Sequence, residues 1–264
     1  MSELLRAEGV CKYFGGLRAV ENVDMEVAQG DVLGIIGPNG AGKTTFFNVC
    51  TGIYAPTKGK VYLEDKDISG FSPDKVAACG MARTFQNIQL FKYLTVQENV
   101  KIGFHLHTKT RFLDAIFHTG SYRQDEKMIN DESEIILERV GLSKYSGTLA
   151  GMLPYGVQRK VEIARALALR PKLLLLDEPA AGMNPQETME LSEFIRALNA
   201  DGYTIVLIEH DMRFVMNTCN RVLVLNFGKK ICEGSPDTVR ADQNVHEAYF
   251  GKGFIAGEAV KNRA

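Results

Sequence analysis

Residues Gly37-Pro38-Asn39-Gly40-Ala41-Gly42-Lys43-Thr44-Thr45 carry the spacing G-x-x-x-x-G-K-[ST]. Glycines at these intervals let successive backbone N–H groups turn toward phosphate oxygens. A helix beginning at the end of the loop adds the positive partial charge of its N-terminus. Lys43 has the reach and the charge for the β- and γ-phosphates of a nucleotide, and the Thr44 hydroxyl is an oxygen ligand for Mg²⁺. A second constellation lies downstream, where the apolar run Leu173–Leu176 ends in Asp177-Glu178. Acids at the tip of a buried strand, beside a phosphate loop, divide the labour of phosphoryl transfer. Asp177 is expected to hold Mg²⁺ and Glu178 to polarise the attacking water. An apolar run closed by two acids is by itself an ordinary strand end, and it is the pairing with the loop that gives it meaning.

These residues need elements to hold them. Val32–Ile36, an apolar run bounded by glycines, reads as a buried strand before the loop, and a helical pattern follows over Phe46–Cys50. Val20, Val23, Met25 and Val27 form a partly alternating series that ends at Gln29-Gly30-Asp31. Ala55–Gly59 is a turn and Lys60–Leu63 a short strand. The middle of the chain changes character. Thr95-Val-Gln-Glu98 has the form of a capping box, and the pattern is mostly helical from about Val96 to Leu142, with breaks near His107–Thr110 and at Gly120. Helix dominates again over Gln158–Leu169. Asn184-Pro185-Gln186-Glu187 reads as a helix start, and Thr204–Ile208 and Arg221–Leu225 read as strands. The expected architecture is α/β, a core interrupted by a helical block. The core covers residues 1–86 and 170–264, and the helical subdomain covers 87–169.

The bulk properties exclude several classes. With 31 Lys plus Arg against 32 Asp plus Glu, the net charge is -1, not that of a strongly basic nucleic-acid binder. Hydrophobic residues at 45% and charged residues at 24% are globular proportions. The five cysteines are odd in number, widely spaced and free of any CxxC pair, which argues against a disulfide framework or a zinc cluster. Met-Ser-Glu-Leu-Leu-Arg at the N-terminus lacks the form of a signal segment, and no apolar run is long enough to span a bilayer. The expectation is a cytosolic chain, held at a membrane by a partner if it works there.

At this point the chain resembles, over nearly its whole length, the ATP-binding cassette of ABC transporters. The resemblance implies a P-loop NTPase core of the ABC ATPase type, with an N-terminal antiparallel β part and an inserted helical subdomain. It assigns Gln86, in Arg83-Thr84-Phe85-Gln86, to the glutamine loop that contacts Mg²⁺ or water and senses the membrane partner. Leu153-Pro154-Tyr155-Gly156-Val157-Gln158 stands at the signature, Ala180–Asn184 at the D-loop, and His210 at the switch histidine that contacts the γ-phosphate. Phe14 fits the aromatic that stacks on adenine, with Tyr13 as its competitor. The segments Arg83–Phe91, Val161–Arg165, Asp177–Gly182 and Ile208–Met212, with a helical stretch from about His105 to Met128, are similar to the LivG-type ATPases of bacterial branched-chain amino-acid importers. That implies ATP and Mg²⁺ as ligands, a second ATPase subunit in a heterodimer, two transmembrane permeases, and indirectly a periplasmic solute-binding protein. It also implies a peripheral place on the cytoplasmic face of the inner membrane. Related ATPases for urea or amides, or for lipopolysaccharide export, share parts of the pattern.

The signature and the D-loop depart from it. The usual signature is Leu-Ser-Gly-Gly-Gln; here Pro154 replaces the serine whose hydroxyl and N–H help hold the γ-phosphate, and proline has neither. Tyr155 replaces a glycine. The D-loop ends in Asn184 where Asp is usual.

Overall fold

The computed structural model describes residues 3–106 and 120–250. The break expected near His107–Thr110, and much of the His105–Met128 stretch, lie outside the described residues. The chain divides into two compact units, Met1–Val76 with Ile195–Ala264, and Ala77–Phe194.

In the first unit an antiparallel sheet is built from β1 (Glu3–Phe14), β2 (Leu17–Ala28), β4 (Lys58–Leu63) and β5 (Lys66–Asp67), in the order β2-β1-β4-β5. Its buried face takes Val20, Val23, Met25 and Val27 from β2, with Asp24 and Glu26 pointing out between them. The alternation slips between Val20 and Val23 because the β1–β2 register shifts there and Asn22 takes φ 51°. β1 escaped the pattern reading, since its burial is equally irregular. The second β layer of this unit centres on β3 (Val32–Ile36), parallel to both β8 (Thr204–Ile208) and β9 (Arg221–Asn226), with β10 (Lys229–Gly234) antiparallel on β9. Every residue of β3 and β8 is buried, which is why they read as continuous apolar runs. Helix α1 (Lys43–Cys50) follows β3 after the loop of residues 37–42 and starts three residues earlier than its apolar pattern suggests.

The second unit contains β6 (Met81–Arg83) parallel to β7 (Leu173–Asp177), placing Arg83 opposite Leu175. Around this pair are α3 (Val96–Ile102), α4 (Gly120–Arg139) and α5 (Tyr155–Leu167). α2 (Pro73–Ala78) precedes β6 across the division between the units. The capping box of α3 forms as expected: the Thr95 hydroxyl accepts from the Glu98 N–H, and the Glu98 carboxylate accepts from the Thr95 N–H. The expected break at Gly120 is the start of α4. α6 (Pro185–Ala200) begins where Asn184 Oδ1 accepts the N–H groups of Gln186 and Glu187 at 3.0 Å, while Glu187 accepts from Asn184 N at 3.1 Å. The remaining helices are α7 (Met212–Thr218), α8 (Pro236–Ala241) and α9 (Gln243–Phe250). None of the five cysteines is in a disulfide.

Candidate functional site

The phosphate loop is shaped by two glycines that tolerate no side chain. At Gly37, φ 150°, an added Cβ would stand 2.1 Å from the Leu225 carbonyl oxygen; at Gly42, φ 96°, it would stand 2.4 Å from that of Ala19. Only glycine combines this close approach with this conformation. Gly42 is also the N-cap of α1. It offers no side-chain cap, and no acid lies in the first turn. The N-terminal N–H groups and dipole of α1 are thus left to an external anion. Lys43 is buried, its ammonium donating to the carbonyl oxygens of Gly37 (2.7 Å) and Pro38 (3.1 Å), which tucks the cation against the loop. Thr44, Asn39 and Gly40 face solvent, while Gly37 and Ala41 are buried and Pro38 and Thr45 half-buried. These features fit the polyphosphate of a nucleotide. On α9, burial pushes the Tyr249 phenol up to about 12, opposed by the Gly37 backbone N–H.

Elsewhere in this unit, His210 lies two residues beyond the end of β8, after Glu209. Its side chain is 59% exposed and its Nδ1 is 3.7 Å from Glu209 Oε2, an ion pair only when the imidazole is protonated. Asp211 holds the next turn, its Oδ1 accepting from the N–H groups of Arg213 (2.8 Å) and Phe214 (3.2 Å). Phe14 lies at the end of β1, partly exposed and edge-on to Tyr54 with ring centroids 5.3 Å apart. The Lys12 ammonium stands 5.1 Å from the Phe14 ring and 5.4 Å from the Tyr54 ring. Tyr13 instead lies under Arg18, 5.8 Å away. Tyr54 was invisible to motif reasoning because it belongs to no pattern and meets Phe14 only through the fold.

In the second unit the acids at the tip of β7 are both engaged. Asp177 Oδ2 accepts from Arg83 Nη2 at 2.5 Å, with both side chains largely buried. Glu178 Oε2 accepts from Gln86 Nε2 at 2.7 Å, and Glu178 has φ 44°, a strained value for a side chain of its size. Two of the residues singled out from the sequence, Gln86 and Glu178, are therefore brought into contact. Arg83 was missed. Its signal was a lone arginine three residues before Gln86, which nothing in the sequence joins to Asp177. The hard carboxylate oxygens of Asp177 suit Mg²⁺, and that carboxylate carries a guanidinium as its counter-charge.

The signature residues open α5. Leu153 is buried and its carbonyl accepts from Gln158 Nε2 at 2.8 Å. Pro154 is the N-cap and supplies no side-chain bond, only its carbonyl to the N–H groups of Val157 and Gln158. The Gly156 N–H donates to Glu187 Oε1 over a long 3.4 Å, and a Cβ on Gly182 of the D-loop would be 3.7 Å from the Tyr155 ring. Signature, D-loop and Glu187 thus form one cluster within this unit.

Residues 20–181 match the family described as ABC transporter, and residues 229–255 match the family of branched-chain amino acid ATP-binding cassette transporters. The chain is 42% identical over 250 residues to the high-affinity branched-chain amino acid transport ATP-binding protein BraF of Pseudomonas aeruginosa. It is 43% identical to LivG of Escherichia coli K12, which bears the same description. In both cases 94% of this chain and 98% of the relative are covered. The crystal structure of the ADP conformation of MJ1267, an ATP-binding cassette of an ABC transporter, superposes with a TM-score of 0.83 at 37% identity, covering 96% of this chain and all of that one.

Proposed function

Taking as premise that the chain belongs to the ABC transporter family and is an ATPase of that family, we propose that it powers a membrane importer for branched-chain amino acids. The observation that carries this reading is the match of residues 229–255, a segment outside the ATP motifs, to the branched-chain amino acid cassette family. The description of that family names the solute class, and the segment adds to ATP motifs that urea, amide and lipopolysaccharide systems share in part. Among the described residues no helix is long and apolar enough to cross a membrane. In this reading permease subunits form the transmembrane path, this chain is peripheral on the cytoplasmic face of the inner membrane, and a periplasmic binding protein selects the solute.

In the proposed chemistry the N–H groups of residues 37–45 and the Lys43 ammonium bind and orient the β- and γ-phosphates of ATP. Thr44, Asp177 and Gln86 would hold Mg²⁺, which would supply positive charge against those phosphates. Glu178 accepts the proton of the attacking water, and Gln86, already bonded to that carboxylate, keeps it aimed. His210 donates to the γ-phosphate, and Phe14 stacks on adenine. Positioning and electrostatics supply most of the rate in such transfers. The helical subdomain 87–169 carries the signature toward a second, non-identical cassette.

The test is uptake of labelled leucine, isoleucine and valine by cells lacking the gene for this chain. Loss of uptake, restored by the intact chain but not by Lys43→Ala, is expected. Unchanged branched-chain uptake, with loss of urea or amide uptake instead, overturns the solute assignment.

A further inference from the structure

Arg159 and Glu162 lie on α5 as an i, i+3 pair withdrawn from water, with side chains 0% and 2% exposed. Buried ion pairs are costly to desolvate, and replacing one by apolar side chains of similar volume is often neutral or stabilising. Folding alone therefore gives little reason to keep this one. Its other contacts suggest a different reason. Arg159 Nη1 donates to Glu162 Oε2 and to the Phe85 carbonyl, both at 2.7 Å, and Nη2 donates to the Gln86 carbonyl at 2.6 Å. Glu162 Oε1 accepts the Gln89 N–H at 3.2 Å. The Arg159 Nε is buried with no partner, so the guanidinium is set for the two carbonyls at the expense of its own full satisfaction. Burial pushes the Glu162 carboxyl up and the Arg159 charge opposes it.

We propose that Arg159, braced by Glu162, is a positioning residue for ATP hydrolysis. It fixes the backbone at Phe85 and Gln86 so that the Gln86 amide holds the Glu178 carboxylate. The chain of contacts is continuous: helix α5, the guanidinium fork, two consecutive carbonyls of the glutamine loop, the Gln86 side chain, and Glu178 Oε2 at 2.7 Å. A planar fork holds two carbonyls and a carboxylate in one fixed geometry, whereas the ammonium of a lysine is a compact charge with freely rotating donors on a flexible stem. The helix that begins with the signature and the contact that aims the general base then act as one mechanical piece. A push on the exposed Phe85 side chain reaches both.

This inference rests on Glu178 being the base, so the experiment carries Glu178→Gln as a control. Three variants are assembled with the partner subunits: Arg159→Met with Glu162→Leu, Arg159→Lys, and Glu178→Gln. Calorimetric melting, Mg²⁺-ATP affinity, kcat and KM are measured, along with amide hydrogen exchange over residues 85–89. The apolar double variant is expected to melt near the intact protein and bind ATP with unchanged affinity. Its kcat should fall by about 10²-fold at constant KM, the scale of a misplaced catalytic group, and exchange at 85–89 should rise. Arg159→Lys retains the charge beside Glu162 and loses the fork, so it should lower kcat in the same direction with KM unchanged. If the double variant fails to fold, Arg159→Lys alone decides. Glu178→Gln with normal turnover would sink the assignment of the base. Loss of turnover in Glu178→Gln alongside full kcat in Arg159→Lys, or in the folded double variant, would overturn the positioning role while leaving the base in place.

Discussion

Glu178 holds a left-handed backbone angle and accepts a hydrogen bond from Gln86. A side chain in that region costs on the order of 1–3 kcal/mol unless its surroundings impose it, so the geometry is maintained by the strand tip and the glutamine loop together. Glu178→Gln keeps the shape and the strain while removing the proton acceptor. We expect ATP affinity to be retained and turnover to fall by about 10²–10⁴-fold, measured as phosphate release in the assembled complex; near-normal release would remove Glu178 from the mechanism. The aromatic at the adenine position is a second residue-scale question. Phe14 stands at a strand end with one edge already against Tyr54, whereas Tyr13 is turned toward Arg18. Phe14→Ala should weaken ATP binding by about 1 kcal/mol, the scale of one aromatic contact, and Tyr13→Ala by less. Calorimetry giving the reverse order would shift the assignment by one residue.

Elements are governed by their ends. α3 is short, and its start is secured by the reciprocal bonds of Thr95 and Glu98. Thr95→Ala should cost about 1 kcal/mol of stability at neutral pH, read from urea denaturation. The pH dependence has a definite sign. The Thr95 backbone N–H, and then its hydroxyl, hold the Glu98 carboxyl below its usual value. A depressed folded value means that this stabilisation is present above the ordinary Glu range near ~4.3 and is lost as pH falls through the folded value. The difference between the intact protein and Thr95→Ala should therefore narrow in that acidic window, and a constant gap down to the lowest pH would dissociate the carboxylate from the cap. α5 presents the opposite case. It starts at Pro154 with no side-chain cap, and a carboxylate, Glu187, lies near its Gly156 N–H.

At the scale of the whole molecule, that weak start bears on assembly. If the signature of one cassette closes over the phosphate loop of another, a self-dimer of this chain lacks the serine contact twice. Each missing contact to a charged oxygen costs about 1.5–3 kcal/mol. The isolated chain is expected to stay mainly monomeric with Mg²⁺-ATP and to hydrolyse it poorly, whereas a partner with the serine leaves one complete site. Pro154→Ser, on a Glu178→Gln background, should raise ATP-dependent self-association in sedimentation. Tight dimerisation and brisk hydrolysis by the unmodified chain would remove the physical basis for an obligate heterodimer.

Much of this protein was legible in one dimension because its causes are local. The phosphate loop needs glycines at fixed intervals, since a Cβ at Gly37 or Gly42 would meet a carbonyl oxygen. The capping box of α3 spans four residues, and the fully buried strands β3, β7 and β8 are apolar apart from Asp177 at the tip of β7 and Thr204 at the start of β8. The contacts that aim these groups are a different matter. Arg83 meets Asp177 across 94 residues, Gln86 meets Glu178 across 92, and Arg159 reaches Phe85 and Gln86 across more than 70. A lone arginine on a strand or in a helix has no spacing that announces such a partner. Its role follows from which strand lies beside which and from how far a helix is withdrawn from water, and only the tertiary structure settles those.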